Sequence, residues 1–273
     1  MSEAAGIWSQ ILDSFPAALT AGLLISAACS FLGVFVVLKR LVFIGATLSE
    51  VAACGVAVSF FFGFHPVAGA LILTLASVTL LAGSTSEEKI PKDSVLAAVF
   101  IAAASLSVLL AAKSAFGLEE VKSLLYGDLI LTSGHDLGML ALTVLPAAAV
   151  AGVFLRPILF TFLDRDEARI LKIRVVIWEL VFYYALAVVV SASSKLGGML
   201  LVFCMLVVPP MTALLLSKRL VPALFLSVMF AWISVASGFY FSFVFDFPVN
   251  PVIGFASCCL LGAAAAAKRL LRL

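Results

Sequence analysis

Charge is the scarcest commodity in this chain. Only 12% of its 273 residues are Asp, Glu, Lys or Arg, against 64% apolar, too few to cover a water-soluble globule of this length. The net charge of +2 is close to balance. The basic residues stand at the bases of loops rather than in a tract, which argues against a nucleic-acid partner. Histidine occurs twice, as His65 and His135. No G-x-x-x-x-G-K-[ST] loop is present to cradle phosphates, so if ATP drives this protein another chain supplies the ATPase. Also missing are H-E-x-x-H, which sets two zinc ligands on one helical face, and G-x-S-x-G, which presents a serine nucleophile. The expectation is therefore a chain that is not an enzyme. The five cysteines, Cys29, Cys54, Cys204, Cys258 and Cys259, all fall inside apolar runs, where a thiol behaves as a small hydrophobe, and no disulfide framework or paired CxxC motif is implied. No basic residue precedes the first run, so it lacks the charged start of a cleavable signal and is expected to be retained.

What the chain has instead is long apolar runs, with a mean hydropathy of +1.25. They extend over Phe15 to Leu38, Leu41 to Gly63, Pro66 to Gly83, Ser94 to Ala112, Leu137 to Leu155, Val175 to Ser193, Leu196 to Leu216, Leu220 to Phe245 and Pro251 to Ala267. Each is about 20 residues long, enough for a helix to cross a hydrocarbon core of roughly 30 Å, and a helix satisfies its own backbone there. The fold class expected is all-α: a polytopic transmembrane bundle of about nine spans forming one domain over residues 1–273. Eight spans result if the run from Leu41, interrupted by glycine, threonine, serine and Glu50, is re-entrant. Threading nine spans with the N-terminus outside puts 14 of the 17 basic residues on one side, leaving Lys113, Lys122 and Lys195 on the other. The crowded side, which then holds the C-terminus, is expected to be cytoplasmic.

Glu50 stands near the middle of the second run, where a charged side chain costs about 2.5 to 3.5 kcal/mol on insertion scales and usually faces protein or a water-filled path. In FIGATLSEVAACG, Thr47, Glu50 and Cys54 share one helical face. This stripe of hydroxyl, carboxylate and thiol could line a cation pathway, or Glu50 could bond to a neighbouring helix while Cys54 packs. Thiolate ligation by Cys54 would favour a soft or borderline metal. Glu179, a turn inside the sixth run, is expected to pair with Arg174 or to reach the interface. His65 and His135 belong to outer turns, Asp128 to a loop cap, and Asp246 of DFPVNP to a turn. Two cytoplasmic segments look built to meet another protein. FLDRDEARILKIR has the pattern of a short amphipathic helix. In VVPPMTALLLSKRL, Pro209 and Pro210 could bend the chain into a short transverse helix that offers Lys218 and Arg219, or form an ordinary proline kink with positive-inside anchors.

Taken together, SFLGVFVVLKRLVFIGATLSEVAACGVAV, LLYGDLILTSGHDL, LDRDEARILKI, GGMLLVFCMLVVPPMTALLLSKRL and FPVNPVIG resemble, in order and spacing, the permease subunits of ATP-binding-cassette importers for zinc, manganese and iron. The similarity runs from about Leu19 to Leu261. It implies a prokaryotic plasma (inner) membrane protein working as a homo- or heterodimer of permease chains surrounded by lipid. It also implies two ATPase subunits that bind ATP and magnesium at the cytoplasmic face, and an extracellular or periplasmic solute-binding protein that delivers metal. On this resemblance the divalent metal is substrate, no cofactor is bound by this chain, and Pro209, Pro210, Thr212, Lys218 and Arg219 mark the ATPase-coupling surface. The family typically carries an aspartate followed four residues later by a histidine in the second span; the matching positions here are Ala46 and Glu50. Ala46 cannot ligate, whereas Glu50 supplies a hard oxygen. Three readings follow: pairing with a permease that keeps the usual residues, a rebuilt site using Glu50 and Cys54, or another substrate. The wider alternatives are a permease for a metal chelate such as a siderophore or cobalamin, and a secondary cation carrier protonated at Glu50.

Overall fold

The computed structural model describes residues 2–83, 92–111, 127, 129–163 and 175–271. Among them the regular structure is entirely helical. The elements are α1 (Ser2–Ser14), α2 (Pro16–Leu38), α3 (Ile44–Phe62), α4 (Pro66–Gly83), α5 (Lys92–Ala111), a 3₁₀ turn (Leu129–Leu131), α6 (Gly134–Val153), α7 (Leu155–Leu163), α8 (Val175–Leu216), α9 (Leu220–Phe245) and α10 (Val249–Leu271). Every apolar run of the sequence coincides with helix, and seven of these helices are long and apolar enough to cross a membrane. The run from Leu41, despite its glycine and hydroxyl residues, contains one unbroken helix of 19 residues, about 28 Å long. Side chains that point away from the bundle remain apolar: Leu80, Leu142, Phe225 and Phe255 are each more than 70% exposed. In a soluble protein such faces would need a partner; here hydrocarbon suits them.

α8 is 42 residues long, about twice a membrane thickness if straight. It is not straight. Gly198 has φ 69° and ψ 166° inside it, a backbone conformation open essentially to glycine alone. The flanking contacts show a reversal. Before the hinge, Phe182 stacks edge-on against Phe35 and Glu179 reaches Lys39. After it, Gly197 lies by Ile25, while Leu206 and Pro210 lie by Gly33. The first half of α8 therefore runs antiparallel to α2 and the second half parallel to it. Gly127, also at positive φ, sits on this hinge against the backbone of Gly197 and Gly198.

Of the two readings of Pro209 and Pro210, the separate transverse helix does not occur. Both prolines are buried within the second half of α8, which stays helical to Leu216, and the chain leaves the helix only at Ser217. Pro210 has no N–H to offer the Leu206 carbonyl. That oxygen lies against Gly33 of α2, where a methyl group would collide with it. The ladder defect is thus covered by a neighbouring helix, one of the ways proline is tolerated in membrane spans.

α2 and the two halves of α8 form the centre of the main core, with Ile25, Leu32, Leu186, Leu201 and Met205 fully buried. α6, α9 and α10 pack around them, while α3, α4 and α5 form a flank held through α3 and α4, both of which pack on α8. The described ties sort the helix ends. Lys39 meets Glu179; Lys195, some 24 Å further along α8, meets Asp136. Asn250 donates to the Gly197 carbonyl at 3.0 Å. Beyond the reversal, Lys268 donates to the Leu215 carbonyl at 2.7 Å. Lys39, Glu179 and Lys268 consequently share one end of the bundle, and Asp136, Lys195 and Asn250 the other.

Candidate functional site

The stripe expected on α3 exists as a buried face. Thr47 is 0%, Glu50 5% and Cys54 1% exposed, and all three turn towards α5. Thr47 Oγ1 bonds to the Phe43 carbonyl at 3.1 Å and lies 3.3 Å from the Leu96 carbonyl of α5. Ser107 Oγ, also on α5, donates to Glu50 Oε1 at 3.4 Å. Cys54 packs with Val51 and Ala103 as a small hydrophobe. Ala46, at the position four residues before Glu50, is buried as well. Within one chain the carboxylate is therefore held at a helix–helix seam, and no group of three or more His, Cys, Asp or Glu able to hold a metal occurs among the described residues.

Sequence reasoning missed Ser107, although a hydroxyl within an apolar run was a signal for it. It also missed the hydroxyl contacts that bind α3 and α4 to α8: Ser194 donates to Ser49 at 3.1 Å, and Thr74 and Ser191 share a bond of 2.9 Å. A cavity is bordered by a different side of α3, formed by Ala52, Ala53 and Val56, turned from Glu50 by roughly 100° at its centre.

At the end of the bundle marked by Lys39, the five residues assigned to coupling divide. Pro209, Pro210 and Thr212 are buried, with Thr212 Oγ1 bonded to the Val208 carbonyl at 2.9 Å. Lys218 and Arg219 are exposed in the short link between α8 and α9. Ser217 shapes that link: its hydroxyl accepts from the Arg219 amide at 3.3 Å and donates to the Arg219 carbonyl at 3.0 Å. Only the two basic residues are surface groups. The other expected contact segment, with Arg174, falls in residues 164–174, outside those described, as does Asp128.

Glu179 has a partner on the α2 side of the bundle. It is 2.8 Å from Lys39 Nζ, which also approaches the Tyr183 hydroxyl at 3.3 Å and the face of Phe162 at 3.9 Å. At the opposite end His65 and His135 lie in exposed segments. Asp136 forms a capping box with Ser133 at the start of α6, and Asp246 takes the left-handed cap that ends α9.

A bundle of helices long and apolar enough to cross a membrane, with its notable polar groups between them, has the architecture of a multi-pass membrane protein. The chain belongs to the ABC 3 transport family, whose model matches residues 12–267. It is 28% identical, over 84% of its length and 78% of the relative's, to a manganese transport system membrane protein of Halalkalibacterium halodurans. It is 26% identical, over 88% and 93%, to a high-affinity zinc uptake system membrane protein of Buchnera aphidicola. Among solved structures it shares the fold of a chain of PsaBC from Streptococcus pneumoniae in complex with Fab, with a TM-score of 0.83, 20% identity and coverage of 95% and 94%.

Proposed function

We propose that this chain is the membrane-spanning subunit of an ATP-driven importer of divalent transition-metal ions: zinc, manganese or iron. The observation that carries the reading is the family match over residues 12–267, together with relatives of similar length named for manganese and zinc transport. Two permease chains, alike or different, pair in a prokaryotic plasma membrane, each with nine crossings and its N-terminus outside. Two ATPase subunits dock at the cytoplasmic end, and a binding protein delivers metal to the other. The 14 basic residues gathered on one side support that orientation.

In this reading Glu50 is the acidic group of the metal pathway. A single carboxylate with a weak hydroxyl partner binds a passing cation without closing a four-ligand cage, which suits release in every cycle. Thr47 and Cys54 line the same stretch, with Cys54 the weaker candidate for direct ligation. The coupling surface centres on Lys218 and Arg219, with Pro209, Pro210 and Thr212 fixing the helix end behind them. The test is metal-resolved uptake by the complete complex, with ATPase and binding protein, in proteoliposomes. ATP-dependent accumulation of free zinc, manganese or iron is expected. Uptake of a labelled siderophore with none of the free ions would replace this reading with the chelate one, and uptake driven by an ion gradient without ATP would replace both.

A further inference from the structure

A cavity of about 340 Å³ opens between α3, α4, α6 and the first half of α8. Its buried floor is mainly apolar, with Ala53 and Ala70 on facing helices and the hydroxyls of Ser191 and Ser194 engaged by Thr74 and Ser49, while rim residues Met139 and Leu142 of α6 are 47% and 76% exposed. Leu142 stands eight residues into α6, about 12 Å below its start. The rim therefore opens sideways at hydrocarbon depth, where an apolar slot attracts neither water nor ions. The volume lies near the lower bound for ligand pockets, enough for one chain of a lipid rather than two.

The slot ends at a pair of charges. Lys195 Nζ and Asp136 Oδ1 are 3.6 Å apart, with side chains 48% and 31% exposed, and both line the cavity. They sit at helix ends, Asp136 in the first turn of α6 and Lys195 just before the reversal at Gly198. Ser133 Oγ holds the other carboxylate oxygen at 2.7 Å, so the acid is fixed in orientation. The separation of the pair exceeds that of a direct hydrogen bond, and a group carrying both signs can bridge it.

We infer that this cavity is a specific site for one phospholipid of the phosphatidylethanolamine class, its acyl chain in the slot, its phosphate on Lys195 and its primary ammonium on Asp136. A purely anionic head group would satisfy Lys195 but meet the like charge of Asp136. A choline head group carries no N–H to donate to the carboxylate. The site is distinct from the Glu50 seam and does not depend on the cargo.

The test uses the full chain in nanodiscs of equal phosphatidylethanolamine and phosphatidylglycerol, released into mild detergent for native mass spectrometry. One retained phosphatidylethanolamine is expected, favoured about three- to fivefold over phosphatidylglycerol, the worth of one partly exposed charge pair. A phosphatidylethanolamine with a photoactivatable acyl chain should label peptides containing Ala53, Ala70 or Leu142. Ala70→Leu should abolish the retention by filling the slot. Asp136→Asn, which keeps an oxygen for the Ser133 hydroxyl, should remove the preference even if the first variant fails to fold. Equal retention of the two lipids by the unaltered chain, labelling spread over the other lipid-facing helices, or an unchanged preference in Asp136→Asn would each overturn the assignment.

Discussion

Lys39 Nζ lies 2.8 Å from Glu179 Oε1 and 3.9 Å from the centre of the Phe162 ring, so the cation that ends α2 is held by a carboxylate of α8 and the π face of α7. The two side chains are only 14% and 6% exposed. Low solvent access strengthens such a pair and makes each half costly without the other. α7 leads into the segment expected to meet the ATPase, so the contact fixes where that segment leaves the bundle.

Glu179→Leu should take from the largely enclosed Lys39 the carboxylate 2.8 Å away and destabilise the chain by about 3 kcal/mol. The double variant Lys39→Met with Glu179→Leu should recover most of the loss, because two apolar groups require no pairing. Thermal unfolding in detergent measures both. A single variant that melts like the unaltered chain would show that the pair contributes little.

Glu50→Gln keeps the shape of the side chain and its bond to Ser107 but removes the charge. Metal uptake by the reconstituted complex should fall by about tenfold, equivalent to 1.4 kcal/mol, while ATP hydrolysis stimulated by loaded binding protein persists. Ser107→Ala should have a smaller effect, since the 3.4 Å contact is long for a hydroxyl donor. Unchanged uptake of every metal by Glu50→Gln would remove the carboxylate from the pathway.

Lys218 and Arg219 are exposed and form the centre of the proposed coupling surface. Reversing both to Glu should weaken ATPase association mainly through the encounter rate, with the deficit greatest at low salt. Co-purification and ATPase activity across ionic strengths measure it. Thr212→Ala, at a buried position, should act through stability instead and show no salt dependence.

The helices were legible in the sequence because a 20-residue apolar run in lipid has essentially one backbone solution. Their pairing was not. Lys39 and Glu179 are 140 positions apart, and nothing local identifies a partner at that range. The prolines left two readings open because their effect depends on whether a neighbour covers the freed carbonyl, and Gly33 does so from another helix. α1 also went unread: its apolar contribution is the short group Ile7, Trp8 and Ile11, too brief to register as a run, yet Ile11 is fully buried and Trp8 stacks on Tyr240. The Glu50 stripe was legible as a helical face, but which neighbour it would meet required the packing of α5.

The reversal at Gly198 offers the sharpest single-atom test of the architecture. Its φ of 69° and ψ of 166° lie where a Cβ is strongly disfavoured, so Gly198→Ala should cost about 1–3 kcal/mol. The strain sits where the two halves of α8 must separate to run along α2 in opposite directions, so relaxing it would displace contacts on both sides of the hinge. Gly262 provides the opposite case. It lies within α10 with no neighbouring atom in the path of an added methyl group, so Gly262→Ala should be neutral or stabilise by about 0.5–1 kcal/mol through helix propensity. The same change of one hydrogen for a methyl should therefore move the melting temperature in opposite directions at the two positions. If Gly198→Ala melted at or above the unaltered chain, α8 would have to pass position 198 in ordinary helical geometry, and the antiparallel placement of its halves would be wrong.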